Sequence, residues 1–592
     1  MTAGTVLSLH PAVDELDRLL TQAAEPSGPF AAASLIDLDR QEAFPADACR
    51  LLDDFGLHTY YVPAQYGGRL ADFAESMRLT RAVAARDLTV AIAHGKTFLG
   101  AVSVWLGGRP QQAAWLGAEV CAGAVVSWGL TERHHGSDLF AGELAAVRTG
   151  SGWRLSGEKW LINNATRGDL VCVLARTSPT GGPRGFSMFL VDKRRLPADR
   201  YRHLDKVYTH GIRGADISGI AFDDAEIPAT ALVGGVGDGL AITLRALQLT
   251  RTACAALSLG AADQALRLAV DFVRGRRLAG RPLAELPPMR RLLGEAAATL
   301  LLAEATSLLA SRSINALTAE MNVTAAITKA FVPSQVQEML DTFAEIIGGS
   351  GFTAGQPIEE AFEKVHRDHP IVGIFDGSTL VSKNALINQF PRLARSYQDG
   401  SPLPWDEAGL REAATVDGHV TEFDPARLSL LSAQGCSVVQ ALPAAAARLS
   451  EQAGTGEVPV GLARMADQLR AAVVGLQREL AEYVPTARDV PAAAFELARR
   501  YELCFAGAAC VHLWLHNATA LRAAVPRDEP TAALWRDGLW LRAALARVLD
   551  QLGARRERAD LAVHDRLAEQ LLRHADDRRP FSLLPGPAAV SA

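Results

Sequence analysis

The hydrophobic pattern of the chain changes its period twice, and this double change restricts the possible fold more than any other sequence feature. Apolar residues recur at helical spacing over residues 1–120, alternate as in strands over residues 121–235, and return to helical spacing over residues 236–395. The alternating region is typical of an antiparallel barrel or sandwich, and the long segments after it are typical of a four-helix bundle. We therefore predict a mainly α-helical chain with a central β domain.

The chain continues well beyond these three regions. Its 592 residues exceed the roughly 250–300 residues at which a single hydrophobic core stops growing. A short polar segment rich in Gly and Pro, residues 396–405, is predicted to link an additional helical domain, residues 406–592. One apolar helix face in that domain is predicted from five residues, namely Met465, Leu469, Val473, Leu476 and Leu480.

The composition is that of a globular protein of the reducing cytoplasm. The chain is 49% hydrophobic and 21% charged, with a net charge of −6. Its seven scattered cysteines include no CxxC pair, so neither a disulfide framework nor a metal site is predicted. No uninterrupted apolar run reaches about 18 residues and the start lacks a signal-peptide pattern, so we expect a cytoplasmic protein without a membrane span.

Two polar motifs interrupt the β region. Residues 128–138 read Trp-Gly-Leu-Thr-Glu-Arg-His-His-Gly-Ser-Asp, and residues 157–165 read Gly-Glu-Lys-Trp-Leu-Ile-Asn-Asn-Ala. They resemble the flavin loops of the acyl-CoA dehydrogenase family, which read Thr-Glu-Pro-x-x-Gly-Ser-Asp and Gly-x-Lys-x-Trp-Ile-Thr-Asn. The resemblance implies four contacts, with the flavin ring at Leu130, Thr131 and Asn163 and with the substrate's carrier at Ser137.

The chain departs from the family pattern within both motifs. In the second motif Leu161 stands at the aromatic position, and Trp160, one residue early, is interpreted as structural. Asn163 replaces a hydroxyl, and its amide can still donate a hydrogen bond to a ring nitrogen. The first motif differs at three residues, namely Arg133 in place of Pro, and His134 and His135 in place of small residues.

The bundle region carries further motifs of the same family. Arg251 follows the glycine-rich loop 234–239 and is implied to bind substrate. Arg276 opens the segment Arg-Arg-Leu-Ala-Gly-Arg, similar to the family's Arg-x-x-Phe-Gly, in which a guanidinium fork clamps the FAD pyrophosphate. Gly348 and Gly349 lie in Ile-Ile-Gly-Gly-Ser-Gly-Phe, where the family's small residues let FAD phosphates approach the backbone.

Residues 367–379 carry the predicted acid–base chemistry. They resemble the family's Arg-Asp motif followed by Glu-Gly-Thr, in which the Glu removes the proton α to the thioester. Here the base position is Asp376, one methylene shorter, and a misplacement of about 1 Å can slow a reaction about 100-fold. Some branches of the family place the base just before the bundle Arg, but Thr250 occupies that position. The resemblance also implies contacts of Gly377 with substrate and of Ser378 with the cofactor.

The order and spacing of these motifs over residues 30–390 imply an FAD-dependent enzyme with an N-terminal helical domain, a central antiparallel β-barrel and a four-helix bundle. The implied reaction is α,β-dehydrogenation of an acyl-CoA or acyl-carrier-protein thioester. Asp376 would take the α-proton, the β-hydride would go to flavin N5, and the Asp376 backbone N–H with a ribityl hydroxyl would polarise the thioester carbonyl. The expected electron acceptor is an electron-transferring flavoprotein.

Two alternatives keep this fold and change the flavin chemistry, an acyl-CoA oxidase and a flavin monooxygenase. Hydroxylating relatives do not need a carboxylate at position 376, so Asp376 favours dehydrogenation. The acyl group and the choice between CoA and carrier protein stay open. The departures at the predicted site suggest a specialised substrate in bacterial metabolism.

Residues 406–592 suggest assembly, because family members with a comparable extension use it for dimer packing and a homodimer is therefore expected. A DNA-associated alkylation-response protein of the superfamily also has a C-terminal helical region, and the basic residues at Arg555–Arg558, Arg573 and Arg578–Arg579 could suit that role. The net charge of −6 argues against a phosphate-binding stripe. So do the interspersed acids, namely Glu557, Asp560, Asp576 and Asp577.

Overall fold

The computed structural model describes residues 9–352, 357–398, 405–432, 434–486, 489–525, 530–554, 558–576 and 580–585. The chain divides into two compact units. One unit comprises residues 19–250 and 424–430, and the other comprises residues 1–18, 251–423 and 431–592. The division falls inside one long helix, between Thr250 and Arg251.

Helices precede the sheet, as the helical spacing predicts. They are α1 (Pro11–Ala23), α2 (Ala32–Arg40), α3 (Ala46–Phe55), α4 (Phe73–Ala84), α5 (Leu88–Gly107) and α6 (Pro110–Cys121). Asp72 and Asp87 cap α4 and α5, because their carboxylates accept hydrogen bonds from the backbone N–H groups of Ala74 and Val90, each at 2.8 Å. Gly56 ends α3 in the left-handed conformation, with φ 83°.

A single sheet follows. Its strands are β1 (Val126–Gly129), β2 (Ala145–Arg148), β3 (Gly152–Asn163), β4 (Leu170–Arg176), β5 (Phe186–Asp192), β6 (Tyr201–Leu204), β7 (Ile217–Pro228) and β8 (Leu232–Val233). The order of the described strands is β6-β7-β3-β2-β4-β5-β8, with β1 paired to β4. Side chains from these strands form a buried core that includes Trp153, Leu155, Val173, Phe189 and Ile220.

The sheet is mixed, whereas the sequence predicted a wholly antiparallel one. β1 runs parallel to β4, and β2 meets β4 in parallel at Ala145 and Arg176. Residues 130–169 separate β1 from its parallel partner β4, which is more than the dozen or so residues that a connection between parallel strands requires. The pairings among the described strands do not show a closed barrel.

The helices predicted to form a bundle come next. They are α7 (Gly239–Gly275), α8 (Pro287–Ala316), α9 (Met321–Ile347), α10 (Pro357–Asp368), α11 (Thr379–Ile387) and α12 (Phe390–Ser396), with a hairpin of β9 (Arg277–Leu278) and β10 (Arg281–Pro282) between α7 and α8. From Leu293 to Ala316 every residue except Glu295 is buried. Because a surface helix keeps one polar face, α8 is an interior helix.

The C-terminal region is helical, as predicted. Its helices are α13 (Glu407–Ala414), α14 (Ser437–Gln440), α15 (Leu442–Gly454), α16 (Val460–Glu482), α17 (Ala492–Ala524), α18 (Pro530–Arg536), α19 (Leu539–Gln551) and α20 (Arg558–Asp576). All five residues of the predicted apolar face of α16 are buried. Residues 399–404 of the predicted linker and the basic residues Arg555, Arg556, Arg578 and Arg579 lie outside the described residues.

The C-terminal helices pack directly on the bundle. Gly294 of α8 has no room for a side chain, because a Cβ there would lie 2.0 Å from the carbonyl oxygen of His564 in α20. Glu304 of α8 accepts hydrogen bonds from the Ser582 hydroxyl at 2.5 Å and the Leu583 N–H at 2.9 Å. Bundle and extension thus belong to one compact unit, and the predicted boundaries of the four domains stay predictions.

Three helices among the described residues, α5, α7 and α8, are long and apolar enough to cross a membrane by length and composition. Most of each apolar window is buried inside the protein, 72% in α5, 78% in α7 and 89% in α8. The packing of this fold therefore accounts for their hydrophobicity.

Candidate active site

The first flavin motif lies in the loop that follows β1, and strand β3 holds it in place. The ammonium of Lys159, buried in β3, donates to a carboxylate oxygen of Glu132 at 2.7 Å and to the carbonyl oxygen of Leu130 at 3.0 Å. The backbone N–H of Trp160 donates to the carbonyl oxygen of Thr131 at 2.9 Å. The carbonyl groups of Leu130 and Thr131 are therefore both engaged by β3.

Glu132 also fixes the far end of this loop. Its carboxylate accepts hydrogen bonds from the backbone N–H groups of Glu143 at 2.6 Å and Leu144 at 3.0 Å. Burial disfavours the charged carboxylate, but Lys159 and the two backbone donors outweigh it and hold the pKa of Glu132 below its ordinary value. Glu132 and Lys159 thus form a charged, hydrogen-bonded support under the loop.

The middle of the loop carries the residues that depart from the family pattern. The Arg133 guanidinium lies over the Trp160 ring, 4.9 Å from its centroid, and its Nε is 3.3 Å from a carboxylate oxygen of Glu158. His134 and Ser137 are exposed. This part of the loop therefore presents polar and basic groups to solvent.

Asn163, at the end of β3, carries polar atoms that this chain leaves unsatisfied. Its amide oxygen and nitrogen are both buried and have no hydrogen-bond partner in the described part of the chain, and the same holds for Trp128 Nε1 in β1. Buried polar groups are nearly always hydrogen-bonded, so these atoms fit a ligand with both donors and acceptors, as the flavin ring has. The residues present are thus compatible with FAD.

Leu161 lies within the second flavin motif, where the backbone of β3 is locally distorted. Its φ is 57°, in the left-handed region that a branched side chain rarely adopts, and the pairing of β3 with β7 shifts register between Trp160 and Ile162. The bulge leaves Leu161 40% exposed on an otherwise well-packed strand.

The predicted base lies in the second unit, on the loop between α10 and α11. The Arg251 Nε of α7 donates to the Asp376 carbonyl oxygen at 2.9 Å, and the Cys254 Sγ lies 3.8 Å from Asp376 Oδ2. Burial lowers the pKa of Arg251, and the nearby Asp376 carboxylate opposes that effect. The structure thus brings together Asp376 and Arg251, two residues predicted from sequence, and adds Cys254.

The loop reaches this position through two consecutive left-handed residues. Asp376 has φ 57° and Gly377 has φ 97°. A Cβ on residue 377 would lie 2.7 Å from Arg251 Nη2, so a side chain there would displace the guanidinium, and the left-handed backbone itself favours glycine. The next residue, Ser378, caps α11, since its hydroxyl accepts a hydrogen bond from the N–H of Val381 at 3.3 Å.

Two side chains to which the sequence assigned no role, Lys329 and His369, support the loop. The buried Lys329 of α9 donates to the Val372 carbonyl oxygen at 2.7 Å, and its ammonium lies 5.7 Å from the centroid of the Phe375 ring. His369 bonds to Gln337 Oε1 at 2.8 Å and to Ser258 Oγ at 3.0 Å. Burial lowers the pKa of His369 to about 3, so its imidazole is neutral at pH 7.

The residues predicted to clamp FAD phosphates are exposed. Arg276 lies between α7 and the β9–β10 hairpin, whose turn uses Ala279 at φ 49° and Gly280 at φ 80°. Gly348 has φ 63°, and a Cβ on Gly348 or Gly349 would meet no heavy atom of the described residues within 4 Å. Their geometry leaves space for a phosphate group, and their roles stay predictions.

Three consecutive family models match the chain and identify the class of protein that this fold defines. They are the acyl-CoA dehydrogenase N-terminal domain over residues 28–124, the middle domain over residues 127–225 and the C-terminal domain over residues 237–389. The chain belongs to the acyl-CoA dehydrogenase family. The predicted family and fold class are thereby confirmed, as is an FAD-dependent oxidoreductase that dehydrogenates acyl thioesters.

Two curated relatives are similar to this chain over about three fifths of its length. Cyclohex-1-ene-1-carbonyl-CoA dehydrogenase of Syntrophus aciditrophicus is 29% identical over 360 residues, which are 59% of this chain and 83% of the relative. Human mitochondrial short-chain specific acyl-CoA dehydrogenase is 27% identical over 61% of this chain and 85% of its own length.

Solved structures extend the likeness to the C-terminal region. An acyl-CoA dehydrogenase from Bacillus anthracis, complexed with FAD, is 20% identical with a TM-score of 0.62 and covers 95% of this chain and 94% of its own. A prolyl acyl carrier protein oxidase, AnaB, is 20% identical with a TM-score of 0.57 and covers 64% of this chain and 97% of its own. The fold with the extension is therefore shared with a solved relative.

Proposed function

We propose that Asp376 is the base of this dehydrogenase and removes the proton α to the thioester carbonyl. The observation that carries the proposal is its carboxylate, which stands on a left-handed backbone that Arg251 holds through the carbonyl oxygen. A strained backbone costs on the order of 1–3 kcal/mol and persists at sites where the surrounding structure enforces it. FAD, when bound, supplies the acceptor for the β-hydride.

The remaining site residues bind and orient in this proposal. Leu130 and Thr131 have their carbonyl groups engaged by β3, which supports a role for the loop's opposite side against the flavin ring. Asn163 supplies an amide with free bonding capacity for a ring nitrogen. The Asp376 backbone N–H polarises the thioester carbonyl, and Gly377 contacts the substrate next to it.

Residues distant from the reacting atoms bind the pyrophosphate of FAD and the carrier of the thioester in this proposal. Arg276, exposed next to a turn, and Gly348 with Gly349 bind the FAD pyrophosphate in this proposal. Ser137, in the exposed part of the first loop, contacts the carrier of the thioester. Ser378 positions α11 and lies one peptide from the substrate-contacting Gly377.

We further propose an electron-transferring flavoprotein as acceptor, a homodimer as assembly and the cytoplasm as location. A butyryl-CoA dehydrogenase of Megasphaera elsdenii shares the fold with a TM-score of 0.59, and a second structure of equal score comes from work on the electron transferring flavoprotein of Acidaminococcus fermentans. No disulfide joins any two of the seven cysteines, which suits a reducing compartment.

The substrate of this proposal is a specialised acyl thioester carried by CoA or by a carrier protein. The basic and polar groups at Arg133 and His134 and the exposed Leu161 distinguish the site from the family pattern. The carrier-protein oxidase among the solved relatives supports an oxidase as the second candidate. Nucleic-acid binding has less support, because three acids of α20 are paired with arginines, namely Asp565 with Arg291, Glu569 with Arg290 and Asp576 with Arg274.

The test is anaerobic flavin bleaching by a panel of thioesters, each offered on CoA and on a carrier protein, with full-length FAD-loaded protein. Replacing Asp376 with Asn should slow bleaching at least about 100-fold, because general-base catalysis contributes about that much. Asp467→Asn, on the exposed side of α16, is the matched control and should bleach at the native rate. An Asp376→Asn protein that bleaches normally removes Asp376 from the mechanism, and reoxidation in air separates an oxidase from a dehydrogenase.

A further inference from the structure

One face of α7 follows the loop that carries the proposed base. Arg251, Cys254 and Ser258 are spaced i, i+3 and i+7, so they lie along the same side of the helix. Arg251 Nε bonds to the Asp376 carbonyl oxygen, Cys254 Sγ approaches Asp376 Oδ2, and Ser258 Oγ bonds to His369. Three side chains on one side of α7 thus contact residues 369–376.

Cys254 is the member of this row that touches the carboxylate itself. The residue is 2% exposed, and its Sγ lies 3.8 Å from Asp376 Oδ2, within reach of a weak S–H···O hydrogen bond. Arg251, on the same helix as Cys254, is a charged group that interacts with the carboxylate, and the Lys329 ammonium of α9 lies 5.7 Å from the centroid of the neighbouring Phe375 ring. A thiol donor in this position restrains the orientation of the carboxylate.

The contact with Cys254 also limits the length of the side chain at position 376. A glutamate at position 376 adds one C–C bond of about 1.5 Å, which along the present direction would leave an oxygen about 2.3 Å from a sulfur now 3.8 Å away. That separation is far below a non-bonded contact, so the longer side chain has to turn out of the orientation that Asp376 adopts.

We propose that Cys254 is a positioning residue for Asp376: its thiol orients the carboxylate, and its bulk makes aspartate, not glutamate, the base that fits. The inference rests on the proposed role of Asp376. The Asp376→Asn experiment tests that role, whereas the variants below keep a carboxylate at 376 and test Cys254 alone.

The kinetic arm measures the rate of flavin bleaching as a function of pH. Cys254→Ala should slow bleaching about tenfold, since a hydrogen bond to a charged group contributes enough for such a factor. The pH profile of bleaching should change as well, because the group that the thiol contacts is the proposed base. Cys254→Ser should restore both. Cys510→Ala, another fully buried cysteine, controls for the lost side-chain volume and should leave the profile in place.

The size arm uses the longer base. Asp376→Glu alone should bleach slowly, and Asp376→Glu with Cys254→Ala should bleach at least about tenfold faster than Asp376→Glu alone, because the added methylene gains room. A double variant no faster than the single one overturns the size coupling, as does an Asp376→Glu protein of native rate.

The spectroscopic arm needs no substrate. The S–H stretching band of Cys254, assigned by its loss in Cys254→Ala, should shift when Asp376→Asn replaces the carboxylate acceptor. A band that stays in place, together with a Cys254→Ala pH profile that superimposes on the native one, overturns the inference.

Discussion

Gly377 shapes the loop that carries Asp376 because it has no side chain. The residue is left-handed, with φ 97°, and it faces the Arg251 guanidinium across a distance that excludes even a methyl group. Arg251 can therefore approach close enough for its Nε to bind the Asp376 carbonyl oxygen at 2.9 Å. The conformation of Asp376 depends in this way on the absence of an atom on its neighbour.

Replacing Gly377 with Ala should displace Arg251 and slow flavin bleaching, at a stability cost of about 1–3 kcal/mol. Gly123→Ala is the matched control, because Gly123 has φ 95° and a Cβ there meets no heavy atom of the described residues within 4 Å. Thermal unfolding and bleaching are measured on both variants. The backbone strain is common to both, so an equal loss of bleaching rate in the two would contradict the role of the Arg251 contact.

At the scale of elements, α17 of the extension reaches the helix that follows the catalytic loop. Glu502 of α17 is buried, and its Oε2 lies 3.9 Å from the Nζ of Lys383 in α11, while its Oε1 has no hydrogen-bond partner in the described chain. Burial raises the pKa of Glu502 to about 8, and Lys383 and Arg499 offset part of that effect. The protonated form is thus favoured in the folded state.

A buried acid of this kind makes stability depend on pH. The folded pKa of Glu502, about 8, lies above the usual 4.5, so its stabilising contribution is complete below pH 4.5 and is lost as the pH rises through 8. Glu502→Gln carries no charge at any pH and should be more stable than the native protein above pH 8, by at least about 1 kcal/mol. Denaturant unfolding at pH 5, 7 and 9 measures this, with Glu482→Gln, at an exposed position at the end of α16, as the control. Equal pH slopes for the native protein and Glu502→Gln would refute the prediction.

Elements also mark the limit of what the sequence could predict. The apolar face of α16 is predicted from a local pattern, and the structure confirms it. The end of α3 at Gly56 also follows a local rule, since glycine readily adopts the left-handed conformation that ends a helix. The parallel pairing of β1 with β4 and the complete burial of α8 depend on residues far away in sequence, so periodicity could not predict them.

The candidate site likewise contains residues that a local sequence pattern predicts and residues that it does not. Its motif residues were recognisable because their order and spacing resemble one family, whereas Lys329 and Cys254 belong to no motif. They contact the loop from far away in sequence, with separations of 43 between Lys329 and Val372 and of 122 between Cys254 and Asp376. His369 lies inside the segment 367–379, but its partners Gln337 and Ser258 lie 32 and 111 residues away. The local signal for Cys254 was its position on the same side of α7 as Arg251 and Ser258.

At the scale of the whole molecule, the residues that follow α20 bind the interior of the bundle. Phe581, Leu583 and Leu584 are buried, the Leu583 carbonyl accepts a hydrogen bond from Trp535 Nε1 at 2.8 Å, and Ser582 bonds to Glu304. Burying three such side chains stabilises a fold by roughly 5–9 kcal/mol at most. This short segment is therefore an energetic part of the core.

Deleting residues 577–592 should lower the free energy of unfolding by about 5 kcal/mol. The deletion also removes the hydrogen bonds that the Ser582 hydroxyl and the Leu583 N–H donate to the buried carboxylate of Glu304. A deletion of residues 586–592 keeps every contact named here and is the control. Denaturant unfolding and light scattering are measured on both. If the longer deletion unfolds like the shorter one, the segment 580–585 does not support the bundle.

The pairing of Glu304 with Ser582 also has a consequence for how the protein is made. The two residues are 278 positions apart, and ribosomes add about 5–20 residues each second. Helix α8 therefore leaves the ribosome roughly 15–55 s before its last partners exist, although nearly all of its residues from Leu293 to Ala316 are buried in the folded protein. During that interval the nascent chain is a substrate for chaperones that shield exposed hydrophobic helices, and translation speed through residues 320–580 becomes a determinant of yield.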